Sequence, residues 1–121
     1  PLENYLLELG LAYIDFARHH PDDFMLMFSR IESGLEQPPQ QDELQQDNSF
    51  AYLYNAVSRG VNSGEIATDE MQDTMEITYA LWSLVHGMAT LQISFLTSMT
   101  YDFEAVDRRA LKAFLSSIFR S

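Results

Sequence analysis

A chain of 121 residues, 46% hydrophobic and 12% aromatic, suits one domain with one sizeable core and excludes an intrinsically disordered segment. The absence of cysteine excludes disulfides, thiolate zinc sites and cysteine nucleophiles, and is compatible with the reducing cytoplasm expected for it. A formal net charge of −11, from seven Lys and Arg against eighteen acids, argues against DNA contact, which relies on clustered bases to neutralise phosphates. Arg108-Arg109 is the only adjacent basic pair. The chain opens at Pro1 without an initiator methionine and reads as a piece of something longer.

The pattern predicts five helices and no strand. The first spans Leu2 to His19, with Leu2, Tyr5, Leu6, Leu9, Tyr13 and Phe16 at helical spacing and a further stripe of Leu7, Leu11 and Ile14. The second starts at His20-Pro21-Asp22-Asp23, where proline suits the first helical position and the acids complement the helix dipole. Phe24, Met27, Phe28 and Ile31 give it an apolar face, and Gly34 a stop. Leu35 to Asn48, rich in Gln, acid and proline, reads as an exposed, mobile connection. The third helix runs from Ser49 to about Asn62, carrying Phe50, Leu53, Tyr54 and Val57, with Ser63-Gly64 as its turn.

The fourth helix is expected to start after Thr68 as N-cap and continue to about Thr97, close to thirty residues. The fifth covers Asp102 to Phe119, with Phe103, Val106, Ala110, Phe114, Ser117 and Ile118 along one side. Ile77 to Leu96 is apolar enough to need a membrane check, but it carries six polar residues and lacks close basic flanks. The expected setting is burial in protein, with no membrane partner.

Three stripes divide the fourth helix. One holds Met75, Tyr79, Trp82, His86, Ala89, Ile93 and Leu96; a second holds Ile77, Leu81, Leu84, Met88, Leu91 and Phe95. The third, Ala80, Ser83, Gly87, Thr90, Ser94 and Thr97, is small throughout and spaced 3-4-3-4-3. Small residues at that spacing let another backbone come close, which would compensate the roughly 1 kcal/mol that a mid-helix glycine costs. The favoured reading is a homodimer in which the fourth and fifth helices pair with their mates as a four-helix bundle. Its expected interface is Ser83, Gly87, Thr90, Ser94, Ala110, Phe114 and Ser117. The other reading makes all three faces intramolecular core.

Trp82 and His86 stand one turn apart and share a face. With Tyr13, Phe16, Phe28, Tyr54 and Tyr79 they are the candidate wall of an apolar effector pocket with a few polar anchors. Periodicity by itself favours the other reading, ordinary core with His86 as a satisfied buried histidine. No Glu-x-x-His pair, His-Glu-x-x-His motif, glycine-rich phosphate loop, Gly-x-Ser-x-Gly elbow or activated nucleophile is present. Neither a metal, a cofactor nor a catalytic residue is therefore expected.

The run Leu81-Trp82-Ser83-Leu84-Val85-His86-Gly87-Met88-Ala89-Thr90-Leu91 resembles the Trp…His-Gly signature of one group of TetR-family C-terminal domains. Leu11 to Ala17, His20 to Phe24 with Leu26 to Phe28, and the turn Gly60 to Ile66 resemble the same group in order. The resemblance implies a five-helix all-α domain over residues 1–121 that dimerises through its last two helices and binds a small apolar or aromatic effector. It also implies operator DNA as a partner, reached only through an N-terminal helix-turn-helix domain absent from this chain. Repression is the family's common mode. The competing reading is a stand-alone helical ligand-binding and dimerisation module with no DNA role.

Overall fold

A computed structural model of the chain describes residues 1–32, 49–68 and 73–120, with backbone alone for residues 27–32 and 49. Five helices form among these residues: α1 (Leu2–His19), α2 (Pro21–Glu32), α3 (Ser49–Ser63), α4 (Thr74–Ile93) and α5 (Phe103–Ile118). The expected connection Leu35 to Asn48 and the Gly34 stop lie outside the described residues, as do the side chains of Met27, Phe28 and Ile31.

α1 is the hub, packing against each of the other four helices. Leu7, Leu11 and Ile14, joined by Leu6 and Ala17, bury a wide arc of it, as its two apolar stripes require. Gly10 sits within that arc. A Cβ there would lie 3.3 Å from both Leu111 Cδ1 and Val85 Cγ2, so its small size brings α4 and α5 close to α1. α2 contributes Phe24, which is wholly buried. From α3, Leu53, Ala56 and Val57 enter the same core.

α3 ends at Gly64, whose φ of +82° lies in the left-handed region that favours glycine. Beyond the turn, buried Ile66 pairs with Phe119 in an isolated antiparallel bridge. Ala67 N donates to Ile118 O at 2.7 Å and Arg120 N to Glu65 O at 2.8 Å, so the exit of α3 is tied to the end of α5. Nothing in the hydrophobic pattern pointed to this bridge, because backbone pairing of two single residues leaves no periodicity.

α4 is shorter than the pattern suggests. Its N-cap is Asp73, whose carboxylate accepts from Glu76 N at 2.9 Å, in place of the expected Thr68. It ends at Ile93: Ser94 leaves helical geometry, and Leu96 N bonds Leu91 O at 2.8 Å. Ser94, Thr97, Ser98 and Thr100 all have weak helix propensity, which cuts the element short although the apolar spacing runs on through Leu96. α5 follows closely, with Asp102 as N-cap accepting from Ala105 N at 3.2 Å.

Candidate functional site

Within a single chain α4 is not dry all round. Ile77, Leu81, Val85 and Ala89 form its buried row, four residues apart, with Thr78 and Gln92 buried beside them. The opposite face carries Tyr79, Ser83 and Leu91 exposed and Ala80, Gly87 and Thr90 partly so. A Cβ on Gly87 would meet no atom of the described residues within 4 Å, so nothing among them requires a glycine there. Ser94, and with it Thr97, falls in the turns beyond the helix. Exposed Leu91 and Phe95, the latter 84% accessible, extend an apolar surface beside the small stripe. On α5, Ala110 and Phe114 are half-buried and Ser117 is exposed.

The inner side of α4 borders a cavity of about 350 Å³. α1 supplies Leu6, Leu9, Gly10, Ala12, Tyr13 and Phe16 to its wall. α3 adds Tyr52 and Leu53, while α4 adds Leu81, Trp82 and Val85. Phe16 and Tyr52, exposed at 38% and 52%, stand at its mouth. No charged residue is among these eleven. The volume falls in the range of small-molecule sites, and the lining has their usual mostly apolar character.

Aromatic rings make up one side of this wall. The Tyr13 and Trp82 ring centroids lie 4.9 Å apart, and Phe50 flanks Trp82 at 5.5 Å. Phe24 meets Tyr13 edge-on at 5.5 Å and His86 at 5.6 Å. Behind the wall runs a hydrogen-bonded chain: Tyr13 Oη to His86 Nδ1 at 3.1 Å, and His86 Nε2 to Thr90 Oγ1 at 3.3 Å. Burial lowers the His86 pKa and holds the Tyr13 phenol well above its ordinary value. A neutral imidazole, with one donor and one acceptor nitrogen, suits this chain; an imidazolium would donate at both ends.

Of the residues expected at the pocket, Tyr13, Phe16 and Trp82 line the cavity. His86 stands one step back, bonded to Tyr13. Tyr54 is half-buried away from the lining, and Tyr79 is 66% exposed. The separation is angular: Tyr79 lies three residues before Trp82, so the stripe drifts out of the wall along the helix. Phe28's side chain is outside the described residues. Val85, Leu6, Leu9 and Leu53 were missing from the expected wall. For Val85 the signal was present in the four-residue row Ile77-Leu81-Val85-Ala89.

A second polar feature was also missed. Asp107, only 2% exposed, receives both of its short hydrogen bonds from Gln92 Nε2, at 3.0 and 2.9 Å. Arg18 reaches the pair from α1, with Nη1 at 3.4 Å from Gln92 Oε1 and 3.8 Å from Asp107 Oδ2. Burial raises the Asp107 pKa, opposed by the Gln92 hydrogen bond and the Arg18 charge. The row Asp107-Leu111-Leu115-Ile118 places this carboxylate on the dry face of α5, which the sequence alone displays.

Among the described residues no group of His, Asp or Glu could hold a metal ion, and no helix is long and apolar enough to cross a membrane. The arrangement is a helical domain with a ligand-sized cavity on one side of α4 and a small-residue face on the other. Residues 6–114 match the family model described as the tetracyclin repressor-like, C-terminal domain, and the chain belongs to that family. Domains of this kind belong to regulators and not to enzymes. No curated protein and no solved structure matches the chain.

Proposed function

We propose that the chain is the effector-sensing and self-pairing half of a cytoplasmic transcription regulator, a repressor in the family's common mode. Its DNA affinity would reside in a helix-turn-helix domain N-terminal to residues 1–121. The observation that carries this reading is the double use of α4: Leu81, Trp82 and Val85 border the cavity, while Ser83, Gly87 and Thr90 face outward. A molecule seated in the cavity touches the same rigid helix that meets a second copy, so occupancy biases how two chains are held. A ligand that favours one inter-chain geometry then weakens DNA binding by its differential affinity for the two states.

The pairing surface is formed by Ser83, Gly87 and Thr90 of α4 and Ala110, Phe114 and Ser117 of α5, with Leu91 beside them. The effector site is the cavity, walled by Tyr13, Phe16 and Trp82, with His86 supporting Tyr13. Two observations test the reading. The gene should encode a basic helix-turn-helix immediately upstream; a natural protein without one refutes the DNA role and leaves a stand-alone module. Sedimentation equilibrium should give a species of twice 13.9 kDa; a monomer at all concentrations refutes the pairing.

A further inference from the structure

Tyr13 and Thr90 belong to different surfaces. Tyr13 lines the cavity, and Thr90 stands partly exposed on the outer side of α4. His86 bridges them: its Nδ1 lies 3.1 Å from Tyr13 Oη and its Nε2 3.3 Å from Thr90 Oγ1. Burial lowers the His86 pKa, so the ring is neutral and carries one proton for these two bonds. That proton allows two arrangements. With it on Nδ1, the imidazole donates to Tyr13 Oη, and the Thr90 hydroxyl must donate inward to Nε2. With it on Nε2, the Tyr13 hydroxyl donates to Nδ1, the imidazole donates to Thr90 Oγ1, and the Thr90 proton is left to point outward. A phenol is more acidic than an alkyl hydroxyl and the stronger donor of the two, so the second arrangement is favoured.

From this we infer that Tyr13, His86 and Thr90 form a relay by which the cavity and the pairing face sense one another. Contact with Tyr13 sets the sense of the His86 hydrogen bonds, and that sense decides whether Thr90 offers a second copy a donor. The inference rests on the reading of the cavity as an effector site and of α4 as a pairing helix, and names how the one acts on the other. A ligand that moves the Tyr13 ring by about 0.5 Å carries the 3.1 Å contact past the range of a hydrogen bond. The phenol then no longer holds the imidazole proton on Nε2. These two arrangements are the two-state element that coupling between sites requires, and by linkage pairing acts back on Tyr13.

Sedimentation equilibrium of the wild type, Tyr13→Phe, Thr90→Val and the double variant tests it. Tyr13→Phe keeps the ring in the cavity wall and removes only the hydroxyl. The released imidazole splits between its two arrangements, so the dimer should weaken about fourfold, a factor of about two for each of two copies. In the Thr90→Val background the same change should move the dimerisation constant by less than about 1.5-fold, because the relay is already cut. Thr90→Ser, which keeps the hydroxyl, should restore the sensitivity to Tyr13→Phe. Trp82, the only tryptophan in the chain, has its ring 4.9 Å from that of Tyr13 and reads the reverse direction. Thr90→Val alone should change its emission, an arm that stands whether or not Tyr13→Phe folds. A dimer unmoved by a folded Tyr13→Phe, or moved equally with and without the Thr90 hydroxyl, overturns the relay and leaves the effector and pairing reading standing. Unchanged Trp82 emission in Thr90→Val does the same. A wild type that stays monomeric at all concentrations overturns the pairing reading, and the relay with it.

Discussion

Gly87 gives the pairing face a test by sign. In an isolated chain, alanine at this position meets no neighbour within 4 Å among the described residues and should gain the helix-propensity difference, about 1 kcal/mol. For a domain of this size that is a rise of about 2–6 °C in Tm, read on chains diluted below their dimerisation constant. The gain applies equally to folded monomer and folded dimer, so it cancels in the dimerisation equilibrium. What remains there is the cost of inserting a methyl into a tightly approached seam, about 1–3 kcal/mol. Gly87→Ala should therefore stabilise the dilute chain and weaken its dimer about fivefold or more by sedimentation equilibrium, about 1 kcal/mol or more. Gly87→Leu should leave only monomer. A dimer whose dissociation constant is unmoved by Gly87→Ala would refute close approach at this face.

Other expectations follow from the interior. His86 has a lowered pKa in the fold, so below its ordinary value, about 6.5, the unfolded chain takes the proton first. Its contribution is complete above that value and falls as pH drops; thermal melts of the wild type and His86→Gln should diverge in slope below about pH 6.5, and parallel slopes would contradict the assignment. Asp107 has a raised pKa, so its contribution is complete below the ordinary carboxylate range and is lost as pH rises through the raised value. Asp107→Asn should thus gain stability relative to wild type between pH 4 and pH 7 in denaturant titrations, and a relative loss would contradict the sign. Gly60→Ala should destabilise by about 1–3 kcal/mol in the same assay, because its Cβ would lie 2.7 Å from buried Ile66 Cγ1 and 2.9 Å from Leu2 Cδ2.

The helices were legible wherever an apolar repeat coincided with a local stop. α1 and α5 fit because Pro1 and Asp102 precede their apolar stripes and the stripes end where the helices do. α4 misled because apolar spacing outlasts helix propensity: Leu96 keeps the rhythm after Ser94 has left the helix. The cavity was half legible. Trp82 and Tyr13 are large aromatics on apolar stripes, but their meeting joins α4 to α1 across a long stretch of chain, and a single helix's periodicity cannot report which partner a stripe meets. The same limit put Tyr79 in the wall and left Val85 out. Asp107 escaped notice because a carboxylate is assigned to solvent unless its partners are known, and Gln92 and Arg18 come from two other helices.

The most direct test of the central claim uses the absence of cysteine from the chain. Single cysteines are placed at Ser83, Gly87 and Thr90 on the outer face of α4, and at exposed Asp22 and Asn62 on α2 and α3. Intermolecular disulfide formation needs Cα atoms within about 7 Å, a distance that a two-fold seam provides only near its axis. The α4 series should form covalent dimers with a maximum at one of its three positions, while Asp22→Cys and Asn62→Cys stay monomeric under the same oxidation. Equal trapping at Asn62 or Asp22, or none anywhere on α4, would contradict pairing through this helix.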